Sequence, residues 1–192
     1  MKEDLNLNSP LSGFGTGGFM DPEKILREIE IEEGMIVADF GCGAGYFALP
    51  LAKMVGTKGK IYAIDVLASA LESITSKMRT EGVRNIKTAR ADLEQEKGSK
   101  LEDSSVDLVM MANILFQSKN HSAILKEAKR VLKDGGKLVI IDWIPIKSSS
   151  FGPDGRFRIS QNEMQNKAVS LGFKFERGFE VDKYHYGLLF SK

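Results

Sequence analysis

Cysteine is nearly absent. Cys42 is the single one in 192 residues, so no internal disulfide can close and a reducing compartment is expected. Histidine is almost as scarce, with only His121 and His185, and no His/Cys cluster has the spacing of a metal site. No apolar run reaches the roughly 18 residues that a membrane span requires. The start, Met1-Lys2-Glu3-Asp4, lacks the basic end and apolar segment of a secretory signal, which makes a cytoplasmic location the expectation. An excess of one charge is missing too. With 27 basic and 26 acidic residues the net charge is +1, which leaves no electrostatic footprint for nucleic acid or an anionic membrane. What remains is a chain with 42% hydrophobic residues, long enough to bury one real core.

The stretch Val37-Ala38-Asp39-Phe40-Gly41-Cys42-Gly43-Ala44-Gly45-Tyr46-Phe47 organises the rest. Met35 to Phe40 reads as a buried strand and Phe47 to Val55 as a helix, with glycines at alternate positions between them. A strand that turns sharply into a helix needs residues that accept positive φ and let a ligand approach the backbone. The helix start then offers N–H groups to that ligand. A second strand, Lys60 to Ile64, ends in Asp65, which lies 20 residues beyond Gly45. In an open α/β sheet that is where a ribose-binding carboxylate stands.

Elements of the two periods alternate along the chain. Asp21-Pro22-Glu23 opens a helix with Ile25, Leu26 and Ile29 on its apolar stripe, expected to stop at Gly34. A helix from Leu67 to Gly82 and a strand from Ile86 to Ala89 follow; Glu94 to Ser105 reads as a solvated loop or frayed helix. Val106 to Met111 is an apolar strand around Asp107, and His121 to Leu132 an amphipathic helix that Asp134-Gly135-Gly136 turns into a strand from Lys137 to Ile141. Ser160-Gln161-Asn162-Glu163 is a capping box for a last helix, closed by Gly172. Phe173 to Glu180 and Tyr184 to Phe190 form a hairpin. Continuous apolar strands separated by amphipathic helices predict a parallel sheet covered on both faces. Residues 1–20 stand apart as a glycine-rich segment, expected to be flexible, with Gly13 to Phe19 as a flap that could close over a ligand; residues 21–192 form the domain.

D-x-G-x-G-x-G followed by an acid closing the next strand resembles the class I, Rossmann-like S-adenosylmethionine-dependent methyltransferases, from about Asp21 to the C-terminus. The order of motifs looks most like the small-molecule branch that includes ubiquinone- and menaquinone-biosynthesis methyltransferases. The resemblance implies an α/β, Rossmann-like three-layer sandwich: a seven-stranded, mostly parallel sheet with a C-terminal antiparallel β-hairpin. It implies S-adenosylmethionine as methyl donor, S-adenosylhomocysteine as product and direct in-line displacement. Gly41, Gly43 and Gly45 would leave room for the methionine part, Asp39 would face its amino group, Tyr46 its carboxylate side, and Asp65 with Val66 the ribose end. Asp92 and Leu93 would contact adenine, while Asn113 and Phe116 would flank cofactor and acceptor.

Departures from related families narrow the acceptor. Ala112-Asn113-Ile114-Leu115 stand where amino-methylating enzymes of this class carry Asn/Asp-Pro-Pro-aromatic, and one cysteine is fewer than its arsenic methyltransferases use. The chain also lacks room for a large acceptor-binding insertion. Ligands bind outside the carboxyl ends of parallel strands, which nominates Asp142-Trp143. The hairpin should bring Tyr184, His185 and Tyr186 to the same end, with Tyr184 and His185 as candidate catalytic residues and His185 able to accept a proton. Arg156 and Arg158 read mainly as solvated loop charges, and Cys42 as a small filler.

The expected function is methyl transfer to a small molecule by a monomer or homodimer. Open alternatives are a protein or RNA acceptor, a non-catalytic cofactor-binding protein, and a nicotinamide-dependent oxidoreductase. The G-x-G-x-G spacing and the terminal hairpin weigh against the last.

Overall fold

The computed structural model describes residues 20–145 and 151–192. The glycine-rich stretch before Met20 lies outside the described residues, so the expected flap does too.

Seven strands form one sheet. They are β1 (Ile36–Phe40), β2 (Lys60–Asp65), β3 (Ile86–Arg90), β4 (Val106–Ala112), β5 (Leu132–Trp143), β6 (Lys174–Glu180) and β7 (His185–Ser191), in the order β3-β2-β1-β4-β5-β7-β6. Every pairing from β3 across to β5 is parallel; β7 runs antiparallel to both β5 and β6. The chain leaves β1 in one direction towards β2 and β3 and later returns to lay β4 on its other side. That reversal creates a crevice at the C-terminal ends of β1 and β4, where open α/β sheets bind ligands.

Helices cover both faces because the strands are apolar on both. Within β1, β4 and β5, Val37, Leu108, Met110, Val139 and Ile141 join a core with Leu26, Leu51 and Ile74. Their neighbours Ala38, Val109, Met111, Leu138 and Ile140 join the other core, with Leu125, Met164 and Phe173. A period of two thus feeds two cores from one continuous apolar run. The first core receives α1 (Pro22–Arg27), α2 (Ala48–Met54) and α3 (Ala68–Glu81); the second receives α4 (His121–Val131) and α5 (Gln161–Ser170).

The caps follow the residues that announce them. Asp21 accepts from Lys24 N–H ahead of α1, Ser160 accepts from Glu163 N–H ahead of α5, and Gly82 closes α3 at φ 68°. Two expectations need correction, and a third needs an addition. α1 ends at Arg27 rather than near Gly34, because Glu28 and Ile29 N–H turn to carbonyls three residues back and Glu30 takes φ 55°. β5 begins at Leu132, opposite Val106, and the Asp134-Gly135-Gly136 excursion is an irregularity inside it before Lys137 resumes the register at Leu108. Glu94 to Ser105 is the exposed loop expected for most of its length, but it is pinned at its middle. Ser99 is buried and donates from its N–H and hydroxyl to Glu127 Oε1, which Arg130 also holds.

Asp107 explains a charge in an apolar strand. It accepts from Ile36 N–H at 2.8 Å and from Lys133 Nζ at 2.6 Å, clamping the starts of β1 and β5 to β4. The last residue sits at this same end: Lys192 N–H donates to Gly136 O at 2.9 Å.

Candidate active site

At the crevice the glycine-rich turn is pulled over the end of β2. Gly41 and Cys42 N–H both donate to Ile64 O, at 2.8 and 3.0 Å. Gly41, Gly43 and Gly45 all have positive φ, of 72°, 51° and 85°, yet they serve different ends. A Cβ on Gly41 would lie 2.0 Å from Ile114 Cγ2, and one on Gly45 would lie 2.7 Å from Ile74 Cγ1. Those two glycines make room for the protein itself. A Cβ on Gly43 would meet no heavy atom of the described residues within 4 Å, so among them the turn is open on that side.

Two carboxylates underpin the turn. Asp65 accepts from Gly43 N–H through Oδ2 and from Leu67 N–H through Oδ1, both at 2.9 Å. Asp39 is 2% exposed and takes one N–H, from Ala48 at the start of α2, so that helix start is partly engaged by the protein. Its Oδ2 has no partner. Burial, and then the nearby Asp65 charge, push its carboxyl up to about 7, against the pull of the Ala48 N–H. Among the described residues no cation stands beside this buried acceptor to offset its burial.

The remaining predicted residues divide. Tyr46 donates its hydroxyl to Met20 O, fixing the chain where it enters beside the turn. Val66 is half exposed and, with Asp92, lines a cleft of about 540 Å³ beyond β2 and β3. Asp92 is exposed, and its carboxylate closes a local turn through Glu94 N–H and Gln95 Nε2. Leu93 packs into the second core, 7% exposed, and offers little of a flat wall. Cys42 is buried and burial pushes its thiol up, which leaves it a packing residue.

Beyond β4 and β5 the polar groups are denser. Asn113 follows β4 at φ 56°, with its N–H on Ile141 O at 2.9 Å. Asp142 is fully buried; Leu115, Phe116 and Trp143 N–H groups point at its carboxylate, which burial raises to about 7. Phe116, half-buried, is thus anchored through its backbone N–H. The antiparallel β7 sets His185 opposite Trp143, with ring centroids 4.1 Å apart. His185 is 2% exposed, and its Nδ1 meets Asp182 Oδ1 at 2.9 Å and Oδ2 at 3.0 Å. Its Nε2 lies 3.4 Å from Asn113 Nδ2. Burial lowers the imidazole's pKa more than Asp182 restores it, with Arg158 adding to the lowering, so the ring is neutral near pH 7.

Asp182 and Phe151 escaped the sequence reading. The spacing Asp182-x-x-His185 was the available signal for the first; nothing marked Phe151, whose ring lies 5.8 Å from Trp143 and 5.0 Å from Tyr184. Arg158 is not a solvated charge. It is buried at 6% exposure, donates to Pro153, Ile144 and Phe151 carbonyls, and places its guanidinium 5.3 Å from the Trp143 ring. Arg156 stays exposed, paired with Asp154.

Comparison with known proteins agrees with this geometry. Residues 31–174 match the model of a family described as a methyltransferase domain. A demethylmenaquinone methyltransferase of Staphylococcus aureus (strain MRSA252) is 30% identical over 120 residues, 62% of this chain and 48% of its own. The chain thus spans about half the length of the curated relatives it matches. The crystal structure of a SAM-dependent methyltransferase from Aquifex aeolicus superposes with a TM-score of 0.82 at 34% identity, covering 90% of both chains. An arsenic(III) S-adenosylmethionine methyltransferase from Chlamydomonas reinhardtii gives a TM-score of 0.67 at 25% identity over 84% of this chain and 64% of its own.

Proposed function

The chain belongs to the class I S-adenosylmethionine-dependent methyltransferase family, and from that premise we propose that it transfers a methyl group to a small-molecule acceptor. The observation that carries the cofactor reading is Asp39 Oδ2, a buried acceptor without a partner beneath a turn whose middle glycine is open. Asp39 would take the cofactor's ammonium, Gly43 would admit its methionine part against the backbone, and Asp65 would turn spare lone pairs to the ribose. Val66 and Asp92 border the cleft suited to the adenine end. Bound there, S-adenosylmethionine supplies a methyl group already activated on a sulfonium. The residues around it then need to hold donor and acceptor in line, which can account for ~7–11 kcal/mol of a barrier.

The small-molecule reading draws on the demethylmenaquinone methyltransferases and on the aromatic wall of Trp143, Phe151 and Tyr184. The near-neutral charge gives no support to an RNA acceptor. Among the described residues no helix is long and apolar enough to cross a membrane.

Calorimetric titration with S-adenosylmethionine and S-adenosylhomocysteine, with NADH as control, tests the reading. Micromolar binding of both sulfur ligands and none of NADH is expected. Binding of NADH alone would transfer the site to redox chemistry. In the same assay Asp65→Ala should weaken cofactor binding at least tenfold, about 1.4 kcal/mol, since it loses both the ribose acceptor and the anchor of Gly43 N–H. Unchanged affinity in a folded variant would remove Asp65 from the site.

A further inference from the structure

The outer edge of the sheet holds a cleft for which the methyl-transfer reading has no use. β3 is the last strand on that side, and α3 packs beside it. Between them lies a cleft of about 400 Å³, the size of a small-molecule site. Glu72, Thr75, Ser76 and Arg79 border it from α3, at the three- and four-residue spacings that share a helix face. Thr88 and Arg90 border it from β3, two residues apart and so on one side of the strand.

Two guanidiniums from two different elements therefore meet one cleft. Among the described residues neither forms an ion pair, and the Arg79 side chain makes no hydrogen bond. Arg90 is steadied by a single one. Its Nε donates to Val66 O at 3.0 Å, which leaves both Nη groups for a ligand.

We propose that this cleft binds a phosphate group, free or carried by a small molecule, at a site separate from the cofactor's. Two planar forks and a hydroxyl ask for more acceptor oxygens than a carboxylate has. A phosphate presents them in a tetrahedron, and arginine recognises it through paired N–H donors. The Thr88 hydroxyl, without a partner among the described residues, can add a bond. Thr75 cannot, because its hydroxyl already donates to Leu71 O at 2.6 Å. Two arginines against one glutamate leave the cleft a net charge of +1. Glu72 accepts only, so it favours a phosphate whose body carries a hydroxyl. Arg90 also borders the neighbouring cleft beyond β2 and β3, where Lys97 and Lys100 stand, so the two clefts share one guanidinium.

Calorimetric titration at about 150 mM salt, where loose surface attraction is screened, tests the site with inorganic phosphate and glycerol 3-phosphate as probes and acetate as control. Glycerol 3-phosphate should bind with a Kd of about 1 mM or tighter, more tightly than inorganic phosphate, and acetate should give no signal. Arg79→Gln alters this cleft alone and should weaken binding at least tenfold. Lys97→Gln removes the same charge from the neighbouring cleft and should change affinity less than twofold. Both side chains are exposed, so both variants should melt like the parent. Equal affinity for the two phosphates would support the site and assign it to free phosphate. Failure of both phosphates to bind, acetate binding as tightly as they do, undiminished affinity in Arg79→Gln, or an equal loss in Lys97→Gln would each overturn it. No arm uses S-adenosylmethionine, so the site stands or falls apart from the methyltransferase reading.

Discussion

Gly43→Ala is expected to fold and to bind S-adenosylmethionine at least tenfold more weakly, whereas Gly41→Ala is expected to lose about 2–5 kcal/mol of stability. The two positions share a positive φ, so each alanine carries roughly 1–2 kcal/mol of left-handed strain. They differ in what the new methyl meets. At Gly43 it enters space that no atom of the described residues occupies, where the proposed cofactor would pass. At Gly41 it meets Ile114 Cγ2 at 2.0 Å, and overpacking of that kind costs ~1–3 kcal/mol more. The sum is a large part of the ~5–15 kcal/mol that holds an ordinary domain together. Denaturant melts of both variants beside calorimetric titration make the comparison. A Gly43→Ala protein with wild-type affinity would mean that the ligand does not cross the middle of the turn. Adding Ile114→Ala should return part of the stability lost in Gly41→Ala and none of the affinity lost in Gly43→Ala.

The pH dependence of cofactor binding should be almost as large. With its carboxyl raised to about 7, Asp39 is protonated in the free protein at acid pH and must ionise to pair with an ammonium group. Affinity should therefore rise about tenfold per pH unit below 7 and level off above it, one proton being released per ligand bound. Titrations in buffers of different ionisation enthalpy measure that proton directly. A flat profile from about pH 5.5 to about 8.5 would remove Asp39 from the ligand's charge balance. Asp39→Asn should flatten the profile and hold affinity at its low-pH value. The unliganded protein carries the opposite sign. A carboxyl with a folded pKa of about 7, above its unfolded value near 3.9, binds more protons when folded, so stability falls as pH rises between the two. Asp142 titrates in the same range and adds to that slope, so Asp39→Asn should remove only part of it.

The central strands β1 and β4 were legible because a sheet buried on both faces writes itself as apolar runs, and the glycine turn because three positive-φ positions leave few residues to choose from. Element ends were less so. α1 stops at Arg27, where the backbone shifts to shorter-range hydrogen bonds, and no residue type marks that shift. Asp39 and Asp65 could be found since motif spacing places both beside the turn. What spacing could not convey is that Gly41 and Gly45 answer to Ile114 and Ile74, contacts across 73 and 29 residues of chain. Arg158 was misread for the same reason. Its three carbonyl partners belong to a loop that folds back on β5, and a charged residue in a polar stretch carries no trace of that in its neighbours. The Asp182–His185–Asn113 contact joins β4 to β7 through side chains that only the completed sheet brings together.

The antiparallel β7 also fixes where the molecule can be handled. Running against β5, it carries the chain from His185 at the crevice to Lys192 at the far end of the sheet, where the last backbone groups bond to the Gly135-Gly136 turn. Met20, by contrast, is fastened to Tyr46 at the crevice itself. A surface that captures the protein at Lys192 would hold it from the end of the sheet opposite the crevice, and would leave the glycine turn facing solution.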